Sequence, residues 1–367
     1  MNTTAVAKER IFNFSAGPAT LPEPVIEQAK QDIWNIFDSG VGIMEHSHRG
    51  PVFDRVIHEA IEDCRTVGSI SDDYEILFLQ GGATTQFGMI PMSFLGSKQT
   101  ADYANTGVWT TKAIKEAKRF GNVNIAFDGS DTNFDRIPNS DDLELTENAA
   151  YFHYCSNNTI YGTLYNDVPV ASAPLVCDTS SEMFSRPFDI SKHALVYAGA
   201  QKNLGPSGVT LVIIRKDFAA QGNQEVFSMM NYQSMIDGGS RFNTPPTFGI
   251  YVMGQVFKWI IDQGGLESIE QRNNEKAALI YDAIDQNDGF YNGHSQKDCR
   301  SAMNVTFRTP TEELDAKFLA EAAELRMGGL KGHRKVGGIR ASIYNAFPRE
   351  GCQVLADFMG NFAQKNG

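Results

Sequence analysis

The sequence predicts an α/β protein: a mainly parallel sheet sandwiched between helices, followed by a smaller α+β unit at the C-terminal end. Three observations carry this. Strand-like and helix-like segments alternate from about residue 20 to residue 265, the pattern of successive strand–helix–strand units. Beyond residue 265 the register changes to a long, charged helical stretch and two further strand–helix pairs. The chain has 367 residues, of which 42% are apolar, enough to build cores for about two domains.

The elements follow in order. Residues 25–37 are periodic and helical, with Pro22 and Pro24 near the start. In residues 52–61, Val52, Val56 and Ala60 share a face, joined by Phe53, Ile57 and Ile61. Residues 75–79 form a strand that runs into Gly81-Gly82, and residues 84–92 open a helix. Residues 109–117 are helical. Short β-rich runs lie at 122–127, 149–154, 175–177, 194–197 and 209–214. The join to the smaller unit falls near Gly264-Gly265, so residues 16–265 form the large domain and 266–367 the small one; residues 1–15, which could pack on either, are assigned to the small one. Within the small domain, residues 266–284, 311–327 and 351–364 are helical, and 302–307 and 339–344 are strands. There is no repeat of 20–50 residues and no low-complexity tract.

A net charge of −12 argues against nucleic acid or an anionic membrane as partner, but it leaves room for a locally basic pocket. The N-terminal MNTTAVAKERIFNF carries Lys8, Glu9 and Arg10 and has no apolar leader segment, and the most apolar run, 209–214, is only strand length. The five cysteines (Cys64, Cys155, Cys177, Cys299, Cys352) are scattered, without CxxC, as in a reducing compartment. These features predict a cytoplasmic protein.

Two segments carry chemistry. In EILFLQGGATTQF a strand meets a double glycine and a helix start, which lets backbone N–H groups and the Thr84 and Thr85 hydroxyls surround a phosphate. No GK[ST] follows, so this is not a nucleotide P-loop, and a tight structural turn would read the same way. In HALVYAGAQKNLGPSGVTLVII a strand leads through small residues to Lys202. A partly buried lysine keeps a useful neutral amine that can form a Schiff base with an aldehyde, although a loop lysine reaching solvent fits the same residues. Asp178 ends a strand 24 residues before Lys202. It fits either a helix N-cap before SSEMF or the carboxylate that keeps a pyridine nitrogen protonated. Strand ends of such a sheet share an edge, so Asp178 and Lys202 can address one ring.

With these residues in place, the chain resembles the fold type I, class-V aminotransferases, which carry pyridoxal 5′-phosphate (PLP). Within them it is similar to the phosphoserine aminotransferases through five segments: FNFSAGPATLP (12–22), EHSHRG (45–50), AGAQKNLGPSG (198–208), FNTPPTF (242–248) and GHRKVGGIRASIYNAFP (332–348). The resemblance implies a seven-stranded, mainly parallel sheet in the large domain. It implies that Lys202 is the Schiff-base lysine, that Asp178 partners the pyridinium, and that Trp109 stacks on the ring, the three forming the catalytic set. Gln201, Ala83 and Thr84 then hold the phosphate and Thr159 the ring hydroxyl side. Asn243 and Thr244 reach the phosphate of a neighbouring subunit's cofactor, which implies a homodimer.

The implied reaction moves an amino group between L-glutamate and 3-phosphohydroxypyruvate, giving O-phospho-L-serine and 2-oxoglutarate in serine biosynthesis. Some members of the family also serve pyridoxine biosynthesis through 3-hydroxy-2-oxo-4-phosphonooxybutanoate. Arg340 is the candidate clamp for the α-carboxylate, because a guanidinium binds carboxylate through two parallel bonds. His48, Arg49, His333 and Arg334 are the candidates for the distal anion. A cysteine desulfurase would need a nucleophilic cysteine in residues 325–338, which hold none, and a histidine at the stacking position, where Trp109 stands. A serine– or alanine–glyoxylate aminotransferase would not need the His333-Arg334 pair. A catalytically silent PLP-binding protein would not need every chemical position filled. His46 and His48 make an HxH with no third ligand in view, so no metal is expected.

Overall fold

A computed structural model describes residues 10–287 and 289–367. Lys8 and Glu9 therefore lie outside the described residues. In order the chain contains β1 (Phe12–Asn13), α1 (Glu23–Asp32), α2 (Pro51–Gly68), β2 (Tyr74–Leu79), α3 (Gly82–Phe94), β3 (Thr100–Asn105), α4 (Val108–Ala117), β4 (Asn122–Asp128), β5 (Phe152–Cys155), β6 (Asn157–Asn158), β7 (Thr163–Leu164), β8 (Leu175–Asp178), β9 (Leu195–Gly199), β10 (Thr210–Arg215), α5 (Lys216–Ala219), α6 (Tyr232–Asp237) and α7 (Thr247–Asp262). It continues with α8 (Gly265–Gln286), β11 (Asn292–Gly293), β12 (Asn304–Arg308), α9 (Glu312–Glu324), β13 (Met327–Gly328), β14 (Ile339–Ser342) and α10 (Arg349–Asn366).

The central sheet has seven strands in the order β2-β10-β9-β8-β5-β3-β4. β10 runs antiparallel to both neighbours, and the other pairs are parallel. Both faces are covered, and this explains the unbroken apolar runs of the central strands. On β10, Leu211 and Ile213 enter one core with α2 and α7, while Val212 and Ile214 enter the other with α3 and α4. β2 divides in the same way: Ile76 and Phe78 join the first core, Leu77 and Leu79 the second. A third core joins α8, α9 and α10 to the sheet β11-β12-β14. Phe12 and Asn13 pair in parallel with Met327 and Gly328, and Phe14 lies in that third core. Among the described residues no helix is long and apolar enough to cross a membrane.

Several elements differ from the sequence expectation. The first helix ends at Asp32 rather than at residue 37. There the chain turns back, Ile43 N–H bonding to Asp32 O and Ile36 N–H to Val41 O, with Phe37 and Asp38 at positive φ. The 311–327 helix stops at Glu324, because Met327 is taken by its pairing with Phe12. β3 was invisible in the pattern: TADYAN is too polar, and its buried Asp102 is satisfied by Asn124 Nδ2 at 3.0 Å and Thr146 N–H at 2.8 Å. α7 was missed as well. It is apolar on nearly every side, so it lacks a stripe to read.

Candidate active site

The C-terminal ends of β2, β9, β8, β5 and β3 share one edge of the sheet, and a cavity of about 320 Å³ opens there. Its wall includes Ala83, Thr84, Trp109, Thr159, Asp178, Gln201, Lys202, His333 and Arg340. The structure thus gathers nine of the predicted site residues, drawn from the start of α3 to the small unit. Among the described residues, the wall does not include His48, Arg49, Asn243, Thr244 or Arg334.

The double glycine shapes one end. Gly81 (φ +89°) and Gly82 (φ +66°) turn the chain from β2 into α3. A Cβ on Gly81 would collide with Thr85 Oγ1, which donates to Gly81 O at 3.0 Å. The free N–H groups of the first helical turn and the positive end of a 13-residue helix therefore face the cavity beside Ala83 and Thr84.

At the other end Asp178, buried at the tip of β8, accepts a bond from Ser180 N–H at 2.9 Å. This is the local bond of a capping residue, yet no helix follows; residues 179–185 form turns. Burial pushes the Asp178 carboxyl above its ordinary range, against the pull of Lys202 and of hydrogen bonds from Ser180 and Tyr197. Lys202 is displaced downward, first by burial and also by Arg340, against the opposing Asp178 carboxylate. A lysine and a carboxylate coupled in one cavity, each moved toward neutrality by burial, is the arrangement of a reactive amine.

Trp109, at the start of α4, lines the same cavity. Its Nε1–H donates to Thr159 Oγ1 at 3.1 Å, and Lys202 Nζ lies 5.7 Å from its ring centroid. Arg340 reaches in from β14: Nη1 donates to Thr159 O at 3.1 Å, while its buried Nε has no partner among the described residues. His333 is lowered by burial and by Arg340, Arg334 and Lys112. The site is therefore locally basic in an acidic protein. A flat aromatic phosphate fits the donor set gathered in this cavity: amide donors at a helix start, an indole, a buried carboxylate, an amine and an unsatisfied guanidinium.

Other wall residues escaped the sequence reading: Ala16, Gly17, Cys155, Asn157, Ser180 and Ser181. Polar side chains at the tips of otherwise apolar strands, as in HYCSNN and VCDTSS, were the available signal. Lys112, 4.6 Å from the Trp109 ring centroid, also went unread.

Residues 11–355 match the class-V aminotransferase family, and the chain belongs to that family. Within it, the chain stands among the phosphoserine aminotransferases. It is 52% identical to the phosphoserine aminotransferase of Desulfotalea psychrophila, over 98% of this chain and 99% of that one. The structure of the phosphoserine aminotransferase from Bacillus circulans subsp. alkalophilus superimposes with a TM-score of 0.96 at 48% identity, covering 98% of this chain and 100% of the other. The PLP-bound phosphoserine aminotransferase from Trichomonas vaginalis gives 0.91 at 38% identity, covering 95% and 99%.

Proposed function

We propose that the chain is a PLP-dependent transaminase that exchanges an amino group between L-glutamate and 3-phosphohydroxypyruvate, giving O-phospho-L-serine and 2-oxoglutarate. One observation carries this reading: Lys202, Asp178, Trp109 and Arg340 line a single cavity whose far end is a helix N-terminus. When bound, pyridoxal phosphate supplies an aldehyde for the amino group and an electron sink for the substrate α-carbon. Ala83, Thr84 and Gln201 would hold its phosphate, Trp109 and Thr159 would orient its ring, and Asp178 would keep a proton on the ring nitrogen. Lys202 Nζ would anchor the cofactor and, as a free amine, would carry the proton taken from the substrate α-carbon. Arg340 clamps the α-carboxylate, with its unsatisfied Nε as the free donor. His333 and Arg334 take the distal anion, a carboxylate in one half-reaction and a phosphate in the other.

The remaining residues are assigned to a homodimer in which His48, Arg49, Asn243 and Thr244 of one subunit complete the site of the other. Their place outside the cavity wall supports this, as does His48 Nε2, buried and without a partner among the described residues. Trp34 and Met44 stand 84% and 56% exposed, apolar surface suited to an interface. Residues 16–265 are assigned to the cofactor-binding domain, and 1–15 with 266–367 to the small domain, a division supported by the Phe12–Met327 pairing. Five unpaired cysteines support a cytoplasmic setting.

The test is a visible spectrum of the purified protein, bleached by borohydride, beside a coupled assay with phosphoserine and 2-oxoglutarate. Near-normal turnover in a PLP-loaded Lys202→Ala protein would sink the assignment. A fully active monomer in sedimentation would refute the shared site.

A further inference from the structure

We propose that Asn304 and Thr306 are positioning residues that set where Arg340 stands against the cofactor ring, through a buried polar seam between the sheet β11-β12-β14 and the loop 157–162. The inference rests on the functional reading above, in which Arg340 clamps the α-carboxylate, and extends it to two residues outside the cavity wall.

Strand alternation builds the seam. Val305 and Phe307 of β12, with Ile339 and Ala341 of β14, enter the third core. Asn304 pairs with Ser342 and Thr306 with Arg340, so these four polar residues share the opposite face. Such a polar face of an antiparallel sheet ordinarily meets water. Here Asn304, Ser342 and Thr306 are 0%, 1% and 4% exposed, because the loop NNTIYG lies over them. Hydrogen bonds cross the join along its length. Asn157 Nδ2 donates to Asn304 Oδ1 at 2.9 Å, Thr306 Oγ1 to Tyr161 O at 2.9 Å and Arg340 Nη1 to Thr159 O at 3.1 Å. Ser301, three residues before Asn304, donates Oγ–H to Asn157 Oδ1 at 2.5 Å and N–H to Gly162 O at 2.9 Å. Asn304 Nδ2 donates onward to Ser342 Oγ at 2.9 Å and Tyr344 Oη at 3.2 Å. Gly162 (φ +71°) lets the two backbones approach, since a Cβ there would stand 2.8 Å from Asn304 O and 2.7 Å from Thr306 Oγ1.

The loop is fixed to the central sheet without help from the seam. Asn157 Nδ2 also donates to Ser181 Oγ at 2.8 Å, and that hydroxyl returns a bond to Asn157 O at 2.7 Å. Asn158 Nδ2 donates to Thr106 Oγ1 at 3.2 Å, and Trp109 Nε1–H holds Thr159 Oγ1. Ser181 and Thr106 lie just beyond the tips of β8 and β3, so the loop moves with the strand ends that carry the ring's contacts. Arg340 travels with the other sheet. Directional bonds at Asn304 and Thr306 fix that sheet against the loop to within a few tenths of an ångström, where apolar contacts would let it slide. A guanidinium displaced by about 1 Å loses the parallel geometry with which it grips a carboxylate. Thr306, directly opposite Arg340, and Asn304, opposite Ser342 two residues on, are the points where the seam acts on the clamp.

The experiment loads wild type, Asn304→Leu, Thr306→Val and Thr306→Ser with PLP, each with and without Arg340→Lys. It reads the visible spectrum, the PLP dissociation constant, and kcat and KM for glutamate separately. Asn304→Leu is expected to raise KM about tenfold and Thr306→Val about threefold, with smaller changes in kcat and with the spectrum and PLP affinity of wild type. Thr306→Ser keeps the hydroxyl and should stay within about twofold of wild type. In the Arg340→Lys background the losses at 304 and 306 should largely vanish, because they act through the guanidinium. Thr306→Val removes a single bond, so it carries the test if Asn304→Leu does not fold. A wild-type KM in Thr306→Val would overturn the proposal. So would losses that add in full to that of Arg340→Lys, or a Thr306→Ser protein as damaged as Thr306→Val, either of which shows that packing alone matters. A wild-type KM in Arg340→Lys overturns the clamp itself, and so is told apart from failure of the seam alone.

Discussion

Replacing Lys276 by methionine keeps the length and apolar stem of the side chain and removes its ammonium group. Lys276 lies on α8, 2% exposed, and donates to Tyr344 O at 2.7 Å, Ile343 O at 3.0 Å and Phe347 O at 3.2 Å, with Asn345 O at 3.5 Å. Tyr344 O keeps a second donor, Phe347 N–H at 2.9 Å, so the acceptors most exposed to the loss are Ile343 O and Phe347 O. Each buried carbonyl left bare costs about 1–3 kcal/mol. The ammonium's own desolvation is no longer incurred, so the net destabilisation is about 2–4 kcal/mol. The damage should reach the active site, because this loop holds the residue next to Lys202: Asn345 N–H donates to Asn203 Oδ1 at 3.0 Å, and Tyr344 Oη to Ala16 O at 2.7 Å.

The pH dependence has a definite sign. Burial pulls Lys276 down to about 8 from its ordinary 10.5. In that window the unfolded chain still holds the proton and the folded chain has released it, so this residue's contribution to stability rises with pH. The deficit of Lys276→Met should therefore widen from pH 8 toward 10.5. Urea unfolding of both proteins at pH 7 and pH 10, followed by near-UV circular dichroism, measures both effects. Unfolding free energies that differ by less than about 1 kcal/mol at pH 7, or a deficit that shrinks at pH 10, would refute the reasoning.

Arg340→Lys keeps the charge but loses the fork that grips a carboxylate, so KM for glutamate and for phosphoserine should both rise, by about tenfold for one lost charge-assisted bond; equal KM values in steady-state assays would contradict the clamp. Asp178→Asn preserves the bond from Ser180 N–H but removes the charge, and kcat should fall by at least about 100-fold while the fold persists by circular dichroism. Trp109→Phe retains a stacking ring and loses the 3.1 Å bond to Thr159 Oγ1, so cofactor dissociation measured by dialysis should speed up severalfold, by about 1 kcal/mol. An unchanged dissociation rate would remove Thr159 and Trp109 from the ring's support.

Much of the site was legible because its chemistry is local. Gly81-Gly82 before a helix, Lys202 after a run of small residues and Asp178 at a strand tip were picked out within a few residues each, though each also fitted a structural reading, and the fold brings them to one cavity. Lys112 and Lys276 were not legible, since both sit in charged helical stretches that read as solvated faces. Nor was β3, whose polar Asp102 and Asn105 find partners on other segments. His153 and Tyr197 read as ordinary residues of β-rich runs.

The sequence by itself determined most of the elements, the candidate lysine and carboxylate, and the family to which the chain belongs, because propensity, periodicity and turn chemistry act between neighbours along the chain. Only the tertiary structure decided which side chains meet. Asp178 beside Tyr197, His153 two residues out of line on the next strand, and Lys276 against four carbonyls more than 65 residues away depend on sheet order and helix packing. Those are set by burial of whole faces, and no local segment encodes them.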